Sequence, residues 1–289
     1  MKAKAVEEMM LTTFLGYKYR KQHNLLDFQD SIIPSSLIEM YYSGNVDRLD
    51  VNDINKRFVE RYVENESFVE EVHDKWEIEG LGYMYEAMHQ MSEDEFELFS
   101  IIELHRRLYT KCSIPGYGGR FRDSSAYLNG CPIDLSDPHD IFPNLIDVED
   151  VVTGLKVFAM QMRDSDDYSQ LETFIKECLK LKCRLIQIHP FPDGNGRTIR
   201  CFINKLFEMA GIPPVYISKQ EKEEYRNAMN KVLGYKAAGE VDDESCYEPL
   251  VSFYLYKICD SIIELDINKR VRKEKTEAKV ELSKSFGKN

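Results

Sequence analysis

Twelve consecutive residues, His189-Pro190-Phe191-Pro192-Asp193-Gly194-Asn195-Gly196-Arg197-Thr198-Ile199-Arg200, gather the side chains best suited to joint chemistry. His189 is the residue type best tuned to take a proton near neutral pH. Asp193 offers the hard oxygen that Mg²⁺ prefers. Gly194 and Gly196 flank Asn195 and let the backbone turn sharply, so that successive N–H groups converge on one point. Such a nest at a helix start, where the macrodipole is positive, binds anions. Arg197 and Arg200, three apart, can grip phosphate oxygens with paired hydrogen bonds. A base, a metal ligand, a phosphate cradle and two cations in one turn of chain point to phosphoryl or nucleotidyl transfer.

Two helices must hold this turn. Upstream, Phe174, Ile175, Cys178, Leu181 and Leu185 recur at helical spacing; downstream, Ile199, Phe202, Ile203, Leu206 and Phe207 do the same until Gly211-Ile212-Pro213-Pro214 stops them. Phe191 is expected to anchor the intervening loop in the core.

The stretch resembles, position for position, the Fic motif His-x-Phe-x-Asp/Glu-Gly-Asn-Gly-Arg-x-x-Arg. The glycines around Asn195 are closer to the AMP-transferring branch than to the Doc-like phosphorylating one. The resemblance implies an all-α, mainly helical fold, a Fic-type bundle with a small β-hairpin flap. It divides the chain into an N-terminal helical region (1–92), a catalytic core (93–265) and a charged extension (266–289). Further matches are Glu103-Leu104-His105-Arg106-Arg107-Leu108, where His105 is expected to be buried and hydrogen-bonded, and the Gly119-Arg120-Phe121-Arg122 loop.

Two more expectations come from the family. Ser124, Ser125, Ala126, Tyr127, Leu128, Asn129 and Gly130 lie where Fic proteins carry the flap, and Asn129-Gly130 is a strong hairpin turn signal. A flap of this kind pairs with an extended segment of the target; the alternative is a hairpin that only packs. Residues 35–44 resemble an inhibitory helix, Ser/Thr-x-x-x-Glu-Gly/Asn, with Ser35 and Glu39 in the motif positions and Met40 departing from it. In that subclass the glutamate pairs with the second motif arginine, Arg200 here, and obstructs the γ-phosphate of ATP. Ser36 and Glu39 alone would also make a capping box, which needs no regulation.

Composition sets outer limits. The chain has 289 residues, 43% hydrophobic and 30% charged, enough for a full core. A formal charge of −12 argues against general nucleic-acid affinity, so a phosphate ligand must be held locally. Seven cysteines without a C-x-x-C spacing suit a reducing compartment. No apolar run approaches the ~20 residues of a membrane span, and Met1–Glu8 lacks a signal peptide's apolar stretch. A soluble, cytoplasmic protein is expected. Elsewhere, helices are expected over Val6–Lys18, from Pro34, over 53–63, from Ser67 with Trp76 inward, from Ser92, and around Val151, Tyr225 and Val251. Tyr225 could stack on a base, though core packing is the simpler role. From Lys269 the chain carries eight Lys/Arg against three Asp/Glu and reads as a solvated tail.

The resemblance thus implies a protein adenylyltransferase, a nucleotidyltransferase that uses ATP as co-substrate and Mg²⁺ as cofactor. Its partners would be ATP and a target protein docked on the flap; self-modification and a homo-oligomer are both compatible with the sequence. Gly194, Asn195, Gly196, Arg197 and Arg200 would hold the phosphates, Asn195 contacting the α-phosphate. Asp193 would hold the metal, and His189 would act as base toward a Ser, Thr or Tyr hydroxyl. Alternatives on the same site are AMP removal by hydrolysis and transfer of UMP, phosphocholine or phosphate. A nucleotide-sensing module would need the cradle without the base, and a toxin with a separate antitoxin would not need an inhibitor in its own chain.

Overall fold

A computed structural model of the chain describes residues 3–27, 29–43, 56–114, 116–128, 131, 133–237 and 244–267. Two helices at the N-terminus, α1 (Ala3–Gln22) and α2 (Ile33–Ser43), pack on each other, and α2 lies against the last one, α11 (Glu248–Ile262). Next come α3 (Lys56–Val69) and α4 (Lys75–Gln90), which pack together, and α5 (Ser100–Leu108), which packs on α4. After a loop follow α6 (Ile141–Ile146), α7 (Glu149–Asp164), α8 (Leu171–Ile188), α9 (Asn195–Met209) and α10 (Lys222–Ala237).

The bundle is built around α9, which touches α4, α5, α7 and α8. Every residue of α9 except Gly196 is buried. A helix enclosed on all sides must satisfy its own polar groups. Asn204 does so by a two-way clasp with the Val215 backbone, at 2.8 and 2.9 Å. Glu208 takes a bond from His89 Nδ1 at 3.0 Å. The helix stops where Gly211 adopts φ +71 and the N–H groups of Gly211 and Ile212 return to the carbonyls of Glu208 and Phe207, the hydrogen-bond pair of a Schellman end. The stop expected at Gly211-Ile212 is therefore where the chain turns.

Several expectations need correction. Ser67 does not start a helix: its hydroxyl donates back to the Glu64 carbonyl at 2.7 Å, and α3 runs through it to Val69. The next helix starts at Lys75, where the Asp74 carboxylate caps the Trp76 N–H at 2.7 Å. Trp76 is not inward but 42% exposed, its ring flanked by the ammonium groups of Lys75 and Lys111. Ser92 and Glu95 do exchange capping-box bonds, yet the helix beyond them begins only at Ser100. Ser218 and Glu221 form a full capping box.

The flap residues 124–128 form no regular element, Ser124 lying at a bend, and no strand occurs among the described residues. Asn129 and Gly130, the expected turn, lie outside the described residues, as does the charged tail from 268. Among the described residues no helix is long and apolar enough to cross a membrane.

Candidate active site

The loop between α8 and α9 is shaped by a residue in an unfavourable conformation. His189 ends α8 with φ +50 and ψ 61, a left-handed geometry costing a non-glycine residue on the order of 1 kcal/mol or more. Arg122 over-determines it. Its Nε donates to the His189 carbonyl at 2.7 Å, Nη1 to the Ser124 carbonyl at 2.8 Å, Nη2 to the Ser136 carbonyl, and its backbone N–H to Pro190 at 2.9 Å. The second arginine of Gly-Arg-x-Arg is thus the clamp of the loop.

Phe191 plugs the underside. It is fully buried and stacks on the His105 ring, with centroids 3.9 Å apart and planes 6° from parallel. His105 accepts the Gly119 N–H on Nδ1 at 2.7 Å, so Nε2 carries the proton and donates to the Asp193 carbonyl at 3.0 Å. Burial lowers its pKa to about 4. His105 is therefore the buried, hydrogen-bonded support anticipated above.

Asn195 has a role inside the loop beside the expected phosphate contact. Its side-chain oxygen accepts the Phe191 N–H at 2.9 Å and its amide donates to the Phe191 carbonyl at 2.7 Å. Both ends are used inside the loop, which makes Asn195 a staple. Gly194 sits at φ +74, and a Cβ there would come 2.9 Å from Leu108 and Tyr109. The first amides of α9 lack backbone acceptors, as at every helix start, and open on a cleft of about 290 Å³. His189, Asp193, Gly196, Arg200, Lys222 and Tyr225 are among its lining residues.

His189 Nδ1 lies 3.3 Å from the Ile186 carbonyl. Donation along that line leaves Nε2 with the free lone pair. Burial lowers the His189 pKa, outweighing the Ile186 bond, so the ring is neutral and able to accept a proton near pH 7. Asp193 has a 62% exposed side chain; Oδ1 accepts the Gly194 N–H at 2.6 Å. No cluster of three His, Cys, Asp or Glu side chains suited to a metal occurs among the described residues. A lone exposed carboxylate fits Mg²⁺, which keeps several waters and takes its remaining oxygens from substrate phosphates.

The two arginines turn to different partners. Arg197 reaches Glu77 of α4 at 3.3 Å, the Tyr109 hydroxyl at 3.1 Å and Asp193 at 3.4 Å. Arg200 reaches Glu66 and Glu70 of the α3 end at 2.8 and 2.7 Å. Burial disfavours the charge of Arg200, but the two carboxylates prevail and raise its pKa well above the usual value. For Glu70, burial is likewise outweighed by Arg200, which holds the carboxyl below its ordinary pKa. Glu70 Oε1 lies 2.5 Å from where a Cβ on Gly196 would be. A carboxylate thus rests on the backbone of the anion cradle.

That carboxylate is not Glu39. Glu39 is exposed on α2, whose opposite face buries Leu37, Ile38, Tyr41 and Tyr42, and Ser35 donates to the Ile32 carbonyl at 3.0 Å. The resemblance asks for Ser/Thr four residues before the glutamate and Gly/Asn directly after it. Glu70 has Glu66 and Glu71 there, and Glu71 adopts φ +56, the conformation for which Gly or Asn is the usual choice. Neither flanking residue of the motif stands beside Glu70; what matches is the left-handed turn directly after it. Glu66, Glu70, Glu77 and Arg122 are thus site residues to which sequence reasoning gave no role, although Arg122 stands in the matched Gly-Arg-x-Arg loop.

Residues 95–207 match the model of the Fic/DOC family. The chain is 31% identical over 177 residues to the protein adenylyltransferase Fic of Drosophila erecta, covering 57% of this chain and 31% of that one. It is 33% identical over 133 residues to the protein adenylyltransferase Fic of Aedes aegypti, covering 46% and 23%. The chain thus spans about a third or less of the length of these curated relatives. Among solved structures, Fic-1 from C. elegans aligns with a TM-score of 0.50 at 20% identity, over 93% of this chain and 74% of that one. A Fic domain containing signaling protein from Bacteroides thetaiotaomicron aligns with a TM-score of 0.52 at 16% identity, over 89% and 95%. The helical bundle and the loop from His189 to Arg200 agree with this match, and residues 95–207 are the segment of the chain that is similar to the Fic/DOC family.

Proposed function

We propose that this protein transfers AMP from ATP to a hydroxyl side chain of a target protein, and that Glu70 holds the site closed at rest. The observation that carries the reading is the neutral His189 ring beside the open start of α9 in one cleft. The phosphates of ATP would lie along the amides of Gly196 and Arg197, with Arg200 on the terminal phosphate. The target hydroxyl gives its proton to His189 Nε2 as its oxygen bonds to the α-phosphorus, and the bond from that phosphorus to the pyrophosphate oxygen breaks. A positioned base of this kind contributes ~10²–10⁴-fold. In-line placement and the fixed helix dipole supply further acceleration. Mg²⁺ held by Asp193 would neutralise phosphate charge.

Residues 124–128, which form no helix or strand and bring Leu128 to the cleft, suit docking of a target strand by backbone pairing. Closure by Glu70 follows from its placement: it spends Arg200 Nη2 and covers the Gly196 backbone where an anion would sit. A second reading has one observation in its favour. The same rim carboxylate could orient a water and let the cleft remove AMP from a modified protein. The test is intact-mass analysis of target incubated with protein and Mg-ATP, then of pre-modified target incubated with protein alone. Gain of one AMP in the first arm supports transfer. Loss in the second with none in the first supports removal, and no change in either rejects both.

A further inference from the structure

Arg200 is only 6% exposed and is held from several sides. Glu66 Oε2 accepts from Nε at 2.8 Å and lies 2.8 Å from Nη2 as an ion pair. Glu70 Oε1 accepts from Nη2 at 2.7 Å. The Tyr225 ring lies against the guanidinium, its centroid 5.9 Å from Cζ, an arrangement that favours a cation.

The two carboxylates differ in what it takes to move them. Glu70 follows the last residue of α3, is 34% exposed and lines the cleft. It can leave with a small turn of backbone. Glu66 lies one turn back in the interior of α3, four residues earlier and so on the same face, and is completely buried. Its second oxygen, Oε1, is buried without a hydrogen-bond partner. All of its hydrogen bonding therefore goes to Arg200. As a stabilising device this is poor, because a buried ion pair is often no better than apolar side chains of the same volume. Burial also raises the Glu66 pKa, against the pull of Arg200. A group kept at that cost, with one partner that belongs to the cleft, calls for a functional reason.

We infer that Glu66 is a positioning residue for the transfer reaction: it grips the Nε edge of Arg200 so that, when Glu70 departs, the outer N–H groups already face the terminal phosphate of ATP. This rests on the ATP reading above. Without Glu66 the guanidinium gains net positive charge but loses its anchor. A free arginine keeps its full rotamer entropy, and Nε would need a new acceptor, drawing the fork away from the ligand. Preorganisation, and not net charge, then sets the strength of the phosphate contact.

The experiment compares ATP and ADP binding by calorimetry in the Glu70→Gly variant and in Glu70→Gly combined with Glu66→Gln, with the melting temperature of each. Glu70→Gly should prefer ATP to ADP by about tenfold, the worth of one charge-assisted contact. The double variant should bind ADP almost unchanged while its preference for ATP falls to about twofold or less. Equal loss of both nucleotides, or an unchanged ratio, overturns the proposal in favour of a scaffold role. A raised preference overturns it too, by making Glu66 a second inhibitor. Should the Gln variant not fold, Glu66→Asp, which keeps the charge but withdraws it from Nε, must show the same fall in ratio. The readout is binding, so a protein that binds ATP with the expected ratios yet never transfers AMP would refute the transfer reading alone. A Glu70→Gly protein that binds neither nucleotide would refute both.

Discussion

The turn between α8 and α9 and the end of α3 meet at Arg200, and they are built in opposite ways. The turn supplies its own partners: Asn195 clasps Phe191, and Asp193 takes the Gly194 N–H. Its outside support, Arg122 and His105, is likewise bonded to backbone groups of the turn. The end of α3 contributes charge and has few bonds of its own. Glu66 and Glu70 bond to Arg200, 134 and 130 residues away in sequence. On the function proposed above, the contrast separates two tasks: the self-bonded turn would carry the chemistry, and the end of α3 would decide when Arg200 is free.

The largest effect expected from breaking this contrast lies within the turn. His189→Ala should lower AMP transfer by ~10²–10⁴-fold while leaving ATP affinity within about threefold of the parent, measured by rate of labelling and by calorimetry. Equal transfer by the variant would remove His189 as the base.

The support under the turn should show in acid. His105 is held neutral, with its pKa lowered to about 4 from the 6.5 of a free histidine. Between those values the unfolded chain binds the extra proton and the folded one does not. The contribution is therefore complete above pH 6.5 and shrinks as pH falls toward 4, by on the order of 3 kcal/mol. Denaturant midpoints between pH 7 and 4 should track this loss, and His105→Gln should flatten the part of the slope due to this group.

Asn195→Ala removes both bonds of the staple and leaves the buried Phe191 N–H without its acceptor. A loss of about 2 kcal/mol in stability is expected from urea denaturation. An unchanged midpoint would mean that the turn holds its shape without the clasp.

The smallest effect is at Glu71. Its φ of +56 strains a residue with a Cβ, and its exposed bond to Lys222 at 2.6 Å offsets little. Glu71→Gly should raise stability by up to about 1 kcal/mol, read as a higher melting temperature.

The same contrast explains what could be read from the sequence. The turn was legible because its chemistry lies within a dozen residues, and because period and punctuation define the helices on either side. The stop at Gly211 follows from an equally local signal, whereas the support from His105 was expected only through the family resemblance. The clasp of Asn195 on Phe191 was not read, because its type suits a phosphate contact as well as a backbone clasp. The carboxylate that meets Arg200 was misplaced for a different reason. A search for serine before glutamate finds Ser35 and Glu39, whereas the helix end that reaches Arg200 has glutamate in the serine position and a strained glutamate in the glycine position. Ser67, which reads as a helix start, bonds backward within α3. Which carboxylate meets Arg200 is fixed by how α3 packs beside α4 and the start of α9, and no local pattern encodes that.

The central claim is that a ready transfer site is kept closed by Glu70. The most direct test is labelling from α-³²P-ATP with Mg²⁺ in a lysate supplying targets, comparing the parent protein with Glu70→Gly and Glu39→Gly. The account predicts a gain of about tenfold for Glu70→Gly and none for Glu39→Gly. A gain confined to Glu39→Gly, or no labelling by Glu70→Gly, would contradict it.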